Sequence, residues 1–194
     1  MLSLIVLAAG KSTRMRGRNK LLAEIDGKAM IRRVVENALS SMVDEVIVVL
    51  GWEATKIMDA LADLPCRCAV NKDYKMGQSS SVKAGLREID DAAEAVLILP
   101  GDIAMIDTHS INKVVEAYNR RKSSIVVAVH SGRAGHPILL SKELFTEIER
   151  IDEATFGLKS VVKRHQNEVH EVETGSENVL RDVDTPKDLE HLNA

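Results

Sequence analysis

Residues 4–20 read Leu-Ile-Val-Leu-Ala-Ala-Gly-Lys-Ser-Thr-Arg-Met-Arg-Gly-Arg-Asn-Lys. Leu4 to Leu7 are apolar at every position and rich in β-formers, the pattern of a strand buried on both faces. Ala8, Ala9 and Gly10 then let the backbone come close to whatever sits at the strand's end. From Lys11 the chain turns basic, with Lys11, Arg14, Arg16, Arg18 and Lys20. A buried strand, a small-residue turn and a cluster of cations together make a cradle for a polyphosphate. Backbone N–H groups bind the oxygens and the cations offset their charge. A Walker A loop would need a glycine five positions before Gly10, where Ile5 stands. A dinucleotide fingerprint would need three spaced glycines, of which only Gly10 is in place. A plain basic surface loop would leave the small residues at the strand's end without a reason.

The chain has 194 residues, 45% of them hydrophobic, enough for a full core in one domain. Aromatics are only 3%, so packing rests on Leu, Ile, Val, Ala and Met. A net charge of −3 disfavours a general nucleic-acid binder and makes the basic loop a local feature, suited to a small anionic ligand. Cys66 and Cys68 form a Cys-x-Cys pair with no further zinc ligands nearby in sequence. They read as ordinary buried or half-buried thiols of a reducing compartment. No basic leader precedes the apolar run at the N-terminus, and no run reaches membrane-spanning length. A cytoplasmic protein without membrane or nucleic-acid partners is expected.

Strand and helix patterns alternate along the chain. Helical spacing appears over 29–39, 53–64 and 79–89, with Ser79 or Ser80 near the third cap. Strand runs appear over 46–50, 66–70 and 95–99. A βαβα order predicts a parallel sheet with helices on both faces and ligands at the carboxyl ends of the strands. The second half is less regular. Helices are expected over 110–121, 141–151 (capped by Ser141), 158–165 and from Pro186. Strands are expected over 125–130, 137–140, 168–173 and 178–182, with a basic turn at 131–135.

Carboxylates able to hold a metal follow two later strands. Leu97-Ile98-Leu99-Pro100-Gly101-Asp102 ends a buried run in Asp102, on the same edge as Gly10 if the two strands are parallel. A hard oxygen ligand there suits Mg²⁺ bridging phosphates. In Arg181-Asp182-Val183-Asp184-Thr185-Pro186, Asp182 and Asp184 share one face of an extended segment. Asp184 could instead cap the last helix.

Leu-Ala-Ala-Gly-x-Ser-x-Arg-Met followed by Lys-Leu-Leu resembles the nucleotidyltransferases that load CMP or GMP onto molybdopterin, and most nearly the molybdenum cofactor cytidylyltransferase branch. The resemblance extends from Leu7 to the 182–189 segment. It implies a Rossmann-like three-layer α/β/α sandwich with a mixed, mostly parallel sheet, of the nucleotide-diphospho-sugar transferase type. Residues 1–102 would form the NTP-binding half and 103–194 the acceptor-binding, metal-completing half. It implies that Leu7, Ala8, Ala9, Gly10, Lys11 and Ser12 hold the nucleotide, that Arg14 is the phosphate-binding arginine, and that Lys20 is the catalytic lysine. Asp102, with Gly101 beside it, would match the family's metal-binding Gly-Asp-x-Pro, although Ala104 stands in place of its proline. A residue of Asp-x-Asp-Thr-Pro would complete the Mg²⁺ site, with Asp182 favoured as ligand and Asp184 as cap or support. Arg16 is inserted before Gly17, where the branch has glycine directly after Arg-Met.

Residues 76–86, Met-Gly-Gln-Ser-Ser-Ser-Val-Lys-Ala-Gly-Leu, resemble the branch's Gly-x-x-x-Ser-x-x-Ala-Gly-Leu segment, so that Ser79 and Ser80 would hold the ribose or base edge or cap a helix. Arg133-Ala134-Gly135-His136-Pro137 resembles its Arg-x-Gly-His-Pro turn, which puts Arg133, Gly135, His136 and Pro137 near the acceptor. This turn, with Ala9 where the guanylyl branch favours glycine, points to CTP over GTP. The implied reaction is attack of an acceptor phosphate oxygen on the α-phosphorus, with release of pyrophosphate. The implied partners are CTP (or GTP), a molybdopterin-type cofactor, and molybdoenzymes or their chaperones. The rivals are a transferase of the same superfamily acting on another acceptor, and a non-catalytic nucleotide-binding regulator or cofactor chaperone.

Overall fold

The computed structural model describes residues 1–15 and 18–192. Arg16 and Gly17, on which the inserted-arginine expectation falls, lie outside the described residues.

The long strands form where the sequence has unbroken apolar runs. They are β1 (Leu2–Ala8), β4 (Glu45–Leu50), β6 (Ala95–Pro100) and β7 (Ile125–His130). The short β2 (Glu24–Ile25) and β3 (Lys28–Ala29) pair as a separate hairpin, while β5 (Arg67–Val70), β8 (Arg133–Ser141) and β9 (Val169–Glu173) join the long strands. One seven-stranded sheet results, in the order β5-β4-β1-β6-β8-β7-β9. Strand β1 lies parallel to β4 on one side and β6 on the other, with Ala8 opposite Leu50 and Leu7 opposite Pro100. The loops after all three strands therefore leave from one edge. Strand β8 runs antiparallel to β6 and β7, and β9 returns to parallel beside β7.

Helices cover both faces. Leu4, Val6, Val48 and Leu97 pack with α1 (Met30–Leu39), α2 (Ala54–Leu61) and α4 (Thr108–Arg121). Ile5, Ile47, Val49 and Ile98 point to the opposite face and pack with α3 (Gln78–Leu86), α5 (Phe145–Ile148) and α6 (Leu158–Arg164). Successive residues of β1 thus feed two separate cores, which is why its sequence is apolar without alternation. Helix α7 (Pro186–Leu192) closes the described chain. The three-layer sandwich with a mostly parallel sheet is the expected fold.

Local expectations differ in four places. Residues 133–141 make one strand through Gly135 and Pro137: β8 is held by both β6 and β7 from Ile138 to Leu140 and by β7 again at 133–134, across an irregularity in the register; the basic turn is only the tight link before it. The expected helix 141–151 is a 3₁₀ turn at Lys142–Leu144 followed by the one-turn α5, and Ser141 ends β8 without capping anything. Residues 178–182 are not a strand: Glu177–Leu180 is a 3₁₀ turn whose Ser176 side chain accepts from Asn178 N–H, with Val179 buried against β8. Cys66 is half-buried, but Cys68 is exposed on the edge strand β5.

Candidate active site

The basic loop is built on the edge where β1 ends. Ser12 holds a left-handed conformation (φ 51°), which turns the chain back, and its Oγ accepts from Lys20 N–H at 3.1 Å. Asn19 is buried and caps the short turn Lys20–Leu22, its side-chain oxygen accepting from Leu21 N–H. Lys20 is thereby fixed at the backbone on both sides. A side chain at Gly10 would meet open space, so this glycine leaves its backbone free to a ligand. The glycine demanded by packing is Gly51 after β4, where a Cβ would sit 2.7 Å from the Ala9 carbonyl and from the Tyr74 ring.

Cations and carboxylates meet in one network. Lys20 Nζ donates to Asp102 Oδ2 at 2.6 Å and to Asp184 Oδ1 at 2.9 Å. Arg14 donates to the other oxygen of Asp184 at 2.6 Å. Residues 103–183 separate the two carboxylates in sequence, but Val183 N–H donates to the Asp102 carbonyl at 3.0 Å and fixes the two segments together. Burial by itself would lower the Lys20 pKa; the charges and hydrogen bonds of Asp102 and Asp184 outweigh it and hold the ammonium above its ordinary value. Burial likewise opposes ionisation of Asp184, but Lys20 and Arg14 hold its pKa below the usual range. Burial, then the charges of Asp184 and Asp102, push Asp182 up.

Asp184 does not cap α7. Thr185 and Asp188 do so reciprocally: Asp188 accepts from Thr185 N–H at 2.7 Å, and Thr185 Oγ1 accepts from Asp188 N–H at 3.3 Å. The sequence favoured Asp182 as partner of Asp102, whereas it is Asp184 that joins Asp102 around one cation. Asp102 does not cap the next helix either, since Asp107 caps α4 by accepting from Ser110 N–H.

Asp102 Oδ1 is buried and without a hydrogen-bond partner. An anionic oxygen left bare beside a second carboxylate fits a divalent cation. Among the described residues no three His, Cys, Asp or Glu side chains group closely enough for an all-protein metal site. The donor set therefore suits a Mg²⁺-type ion held by one or two carboxylates, with phosphate oxygens completing its shell.

The network borders a cavity of about 300 Å³ lined by Leu7, Ala9, Gly10, Ser12, Arg14, Lys20, Asp102 and Asp184 among the expected residues. Ala8, Lys11 and Gly101 do not line it. Ala8 is buried, Lys11 is exposed, and Gly101 uses its N–H on the Leu7 carbonyl at 2.9 Å. Nor do Ser79 and Ser80. The wall contributed by α3 is Gly77, Gln78 and Ser81. Because α3 starts at Gln78, positions 78 and 81 share a face, while Ser80 turns back to the Gly77 carbonyl at 2.7 Å. That i, i+3 relation was available in the sequence; Tyr74, also in the wall, carried no signal.

A second cavity of about 670 Å³ adjoins the first at Gln78, which lines both. Its floor is the sheet at Ile98, Val127, Ile138 and Val169, and α6 covers it with Leu158, Lys159, Val162 and Lys163. Gly135 and His136 line it as expected. Arg133 and Pro137 do not: Arg133 is exposed and Pro137 is buried in β8. Burial pushes the His136 pKa below its ordinary value against the pull of Asp102, so the ring is neutral at pH 7 and its Nδ1 has no partner. No helix among the described residues is long and apolar enough to cross a membrane.

The chain is similar to known proteins in sequence and in fold. The Bifunctional protein GlmU of Desulfotalea psychrophila is 30% identical over 137 residues, 70% of this chain and 40% of its own length. The chain thus spans less than half the length of that relative. A crystal structure of the Rv0371c homologue from Mycobacterium sp. strain JC1 superposes with a TM-score of 0.86 at 24% identity, covering 98% of this chain and 94% of that one. A manganese complex of Rv0371c from Mycobacterium tuberculosis H37Rv gives 0.78 at 22% identity, covering 99% and 97%. Both show the same α/β fold. The family described as the MobA-like NTP transferase domain matches residues 4–169, from the first strand of the basic loop to the first residue of β9, and the chain belongs to that family.

Proposed function

We propose that the chain transfers CMP from CTP to a molybdopterin-type acceptor, releasing pyrophosphate. The observation that carries the reading is the Lys20–Asp102–Asp184–Arg14 network at the mouth of a polar cavity, next to a second, larger cavity. The nucleotide occupies the first cavity and the body of the acceptor the second. The base assignment rests on the resemblance carried by Ala9 and by Gly135-His136-Pro137.

In this reading Arg14 and the Gly10 backbone grip the β- and γ-phosphates. An acceptor phosphate oxygen forms a bond to the α-phosphorus as the bond to pyrophosphate breaks. Lys20 neutralises the charge that grows on the α-phosphate oxygens, so it acts mainly in the transition state. Asp102, with its unpartnered Oδ1, and Asp184 would hold a divalent ion. Such an ion would supply neutralisation of phosphate charge. No protein nucleophile is needed; the chain's work is positioning.

The test is incubation with each of the four NTPs, molybdopterin and Mg²⁺, following pyrophosphate. Release with CTP that requires molybdopterin is the expected result. Release with GTP would move the chain to guanylyl transfer, and release only with another acceptor would remove molybdopterin. Nucleotide binding without any release would favour a regulator or chaperone.

A further inference from the structure

The junction of the two cavities holds a feature that the nucleotide site does not use. Helix α3 starts at Gln78, and the Ser79 N–H in its first turn donates to Glu153 Oε1 at 2.6 Å. Glu153 comes from the segment between α5 and α6 and otherwise lies exposed. Its side chain packs so closely over Gly77 that a Cβ there would collide with it. Ser79 is 96% buried by its 4% exposure, yet its Oγ has no hydrogen-bond partner and faces the second cavity. A helix start attracts anions through its free N–H groups and dipole. A buried hydroxyl left bare beside such a start marks a place where a further oxygen belongs. One carboxylate oxygen meets one donor there and leaves the other unmet. Lys159 and Lys163 on the cavity wall add positive charge, one unit of which Glu171 on the same wall offsets.

We propose that the start of α3, through the N–H and Oγ of Ser79, is a seat for the phosphate group of the acceptor, and that Glu153 fills this seat until the acceptor displaces it. A phosphate has more acceptor oxygens than a carboxylate and can meet both Ser79 groups. The seat adjoins Gln78, which lines both cavities, so a phosphate held there faces the first cavity while the rest of the acceptor lies over the apolar floor of the second. Glu153 then acts as a filter, since an acceptor without an anionic group cannot replace a carboxylate. The proposal rests on the acceptor reading of the second cavity for the ligand's identity, and its test uses no nucleotide.

The experiment is titration of the full chain with inorganic phosphate by calorimetry, without NTP or metal. Glu153→Gln keeps the size of the side chain and removes its charge, and it should tighten phosphate binding about tenfold. Ser79→Ala in the Glu153→Gln background should abolish most of that gain, and Arg14→Ala in the same background should leave it intact. Glu153→Asp is too short to reach the Ser79 N–H and should reproduce the gain, which keeps the test decisive if Ser79→Ala does not fold. Unchanged affinity in Glu153→Gln and Glu153→Asp would overturn the proposal. So would a gain that survives Ser79→Ala, or one that Arg14→Ala removes, which would place the phosphate in the first cavity. Failure of pyrophosphate release would strike the transferase reading while leaving this seat standing.

Discussion

The two cavities treat their polar groups in different ways. In the first, Lys20 and Arg14 already hold Asp102 and Asp184, so opposite charges meet before any ligand arrives and only Asp102 Oδ1 is left without a partner. In the second, Ser79 Oγ and His136 Nδ1 stand buried and unpaired above an apolar floor. A ligand of the first must exchange partners, trading ion pairs for its own phosphates and cation. A ligand of the second supplies partners missing at Ser79 Oγ and His136 Nδ1 and exchanges a partner only at the Ser79 N–H, where Glu153 sits. Binding in the first should therefore depend mainly on charge and salt. Binding in the second should depend on shape and on a few hydrogen bonds, with charge entering where Glu153 is replaced.

The largest effect should come from the first cavity. With saturating acceptor, Lys20→Ala is expected to lower kcat about 10²–10³-fold, the roughly 2–4 kcal/mol of a lost transition-state contact. Arg14→Ala should mainly raise the KM for the nucleotide, because a guanidinium grips phosphate oxygens before and during reaction. Steady-state kinetics on both variants decides this, and near-wild-type kcat in Lys20→Ala would leave the network a binding element only.

A smaller effect separates the two regions by glycine. Gly135 lies against the Val179 carbonyl, and a Cβ there would collide with backbone. Gly135→Ala should cost about 1–3 kcal/mol, the range for overpacking. A Cβ at Gly10 meets nothing within 4 Å. Gly10→Ala should therefore stay within about 0.5 kcal/mol of wild type while weakening nucleotide binding. Urea denaturation of the pair measures the contrast, and equal stabilities would show that β8 can yield at this point.

The smallest effect concerns the frame of the second cavity. His165, just after α6, lies 2.9 Å from Glu168 and 2.8 Å from Glu147 of α5. Glu168 and then Glu147 raise its pKa above the ordinary 6.5. A folded-state pKa raised in this way gives stability that is full below the unfolded value and fades as pH rises through the folded one. The melting-temperature gap between wild type and His165→Gln should thus be full just below the ordinary imidazole value of 6.5 and narrow as pH rises above it. A gap that stayed constant with pH would mean that the histidine acts through packing alone.

Legibility in the sequence followed the same divide. The runs at 4–7, 46–50 and 95–99 announced the central strands because both faces are buried, and the loop at 10–20 announced its chemistry because cations and small residues are contiguous. Asp102 could be placed on the edge because its strand is parallel to β1. What failed depended on contacts distant in sequence. Gly135 and Pro137 look like a turn, but they carry the irregular stretch of β8 between its pairings with β7 at 133–134 and at 138–140. Residues 178–182 look like a strand until Val179 packs under β8 as a 3₁₀ turn. That Lys20 and Arg14 reach Asp184 rather than Asp182 is likewise a contact the sequence does not show. Three adjacent serines leave open which side of α3 meets the ligand, and it is the packing of Val82 and Leu86 against β1 and β4 that turns Gln78 and Ser81 to the first cavity.

The hydrogen bond from Val183 to the Asp102 carbonyl joins the two ends of a long excursion of the chain. Everything between them, including β7, β8, β9 and α6, departs from and returns to one point beside Lys20. Closing such a bight costs entropy that grows only with the logarithm of its length, about 0.6 kcal/mol for each doubling. Because β8 within the excursion pairs with β6, its strands are fixed to the rest of the sheet. The clasp leaves only the outer loops of the excursion free to change length without moving Asp102 against Asp184.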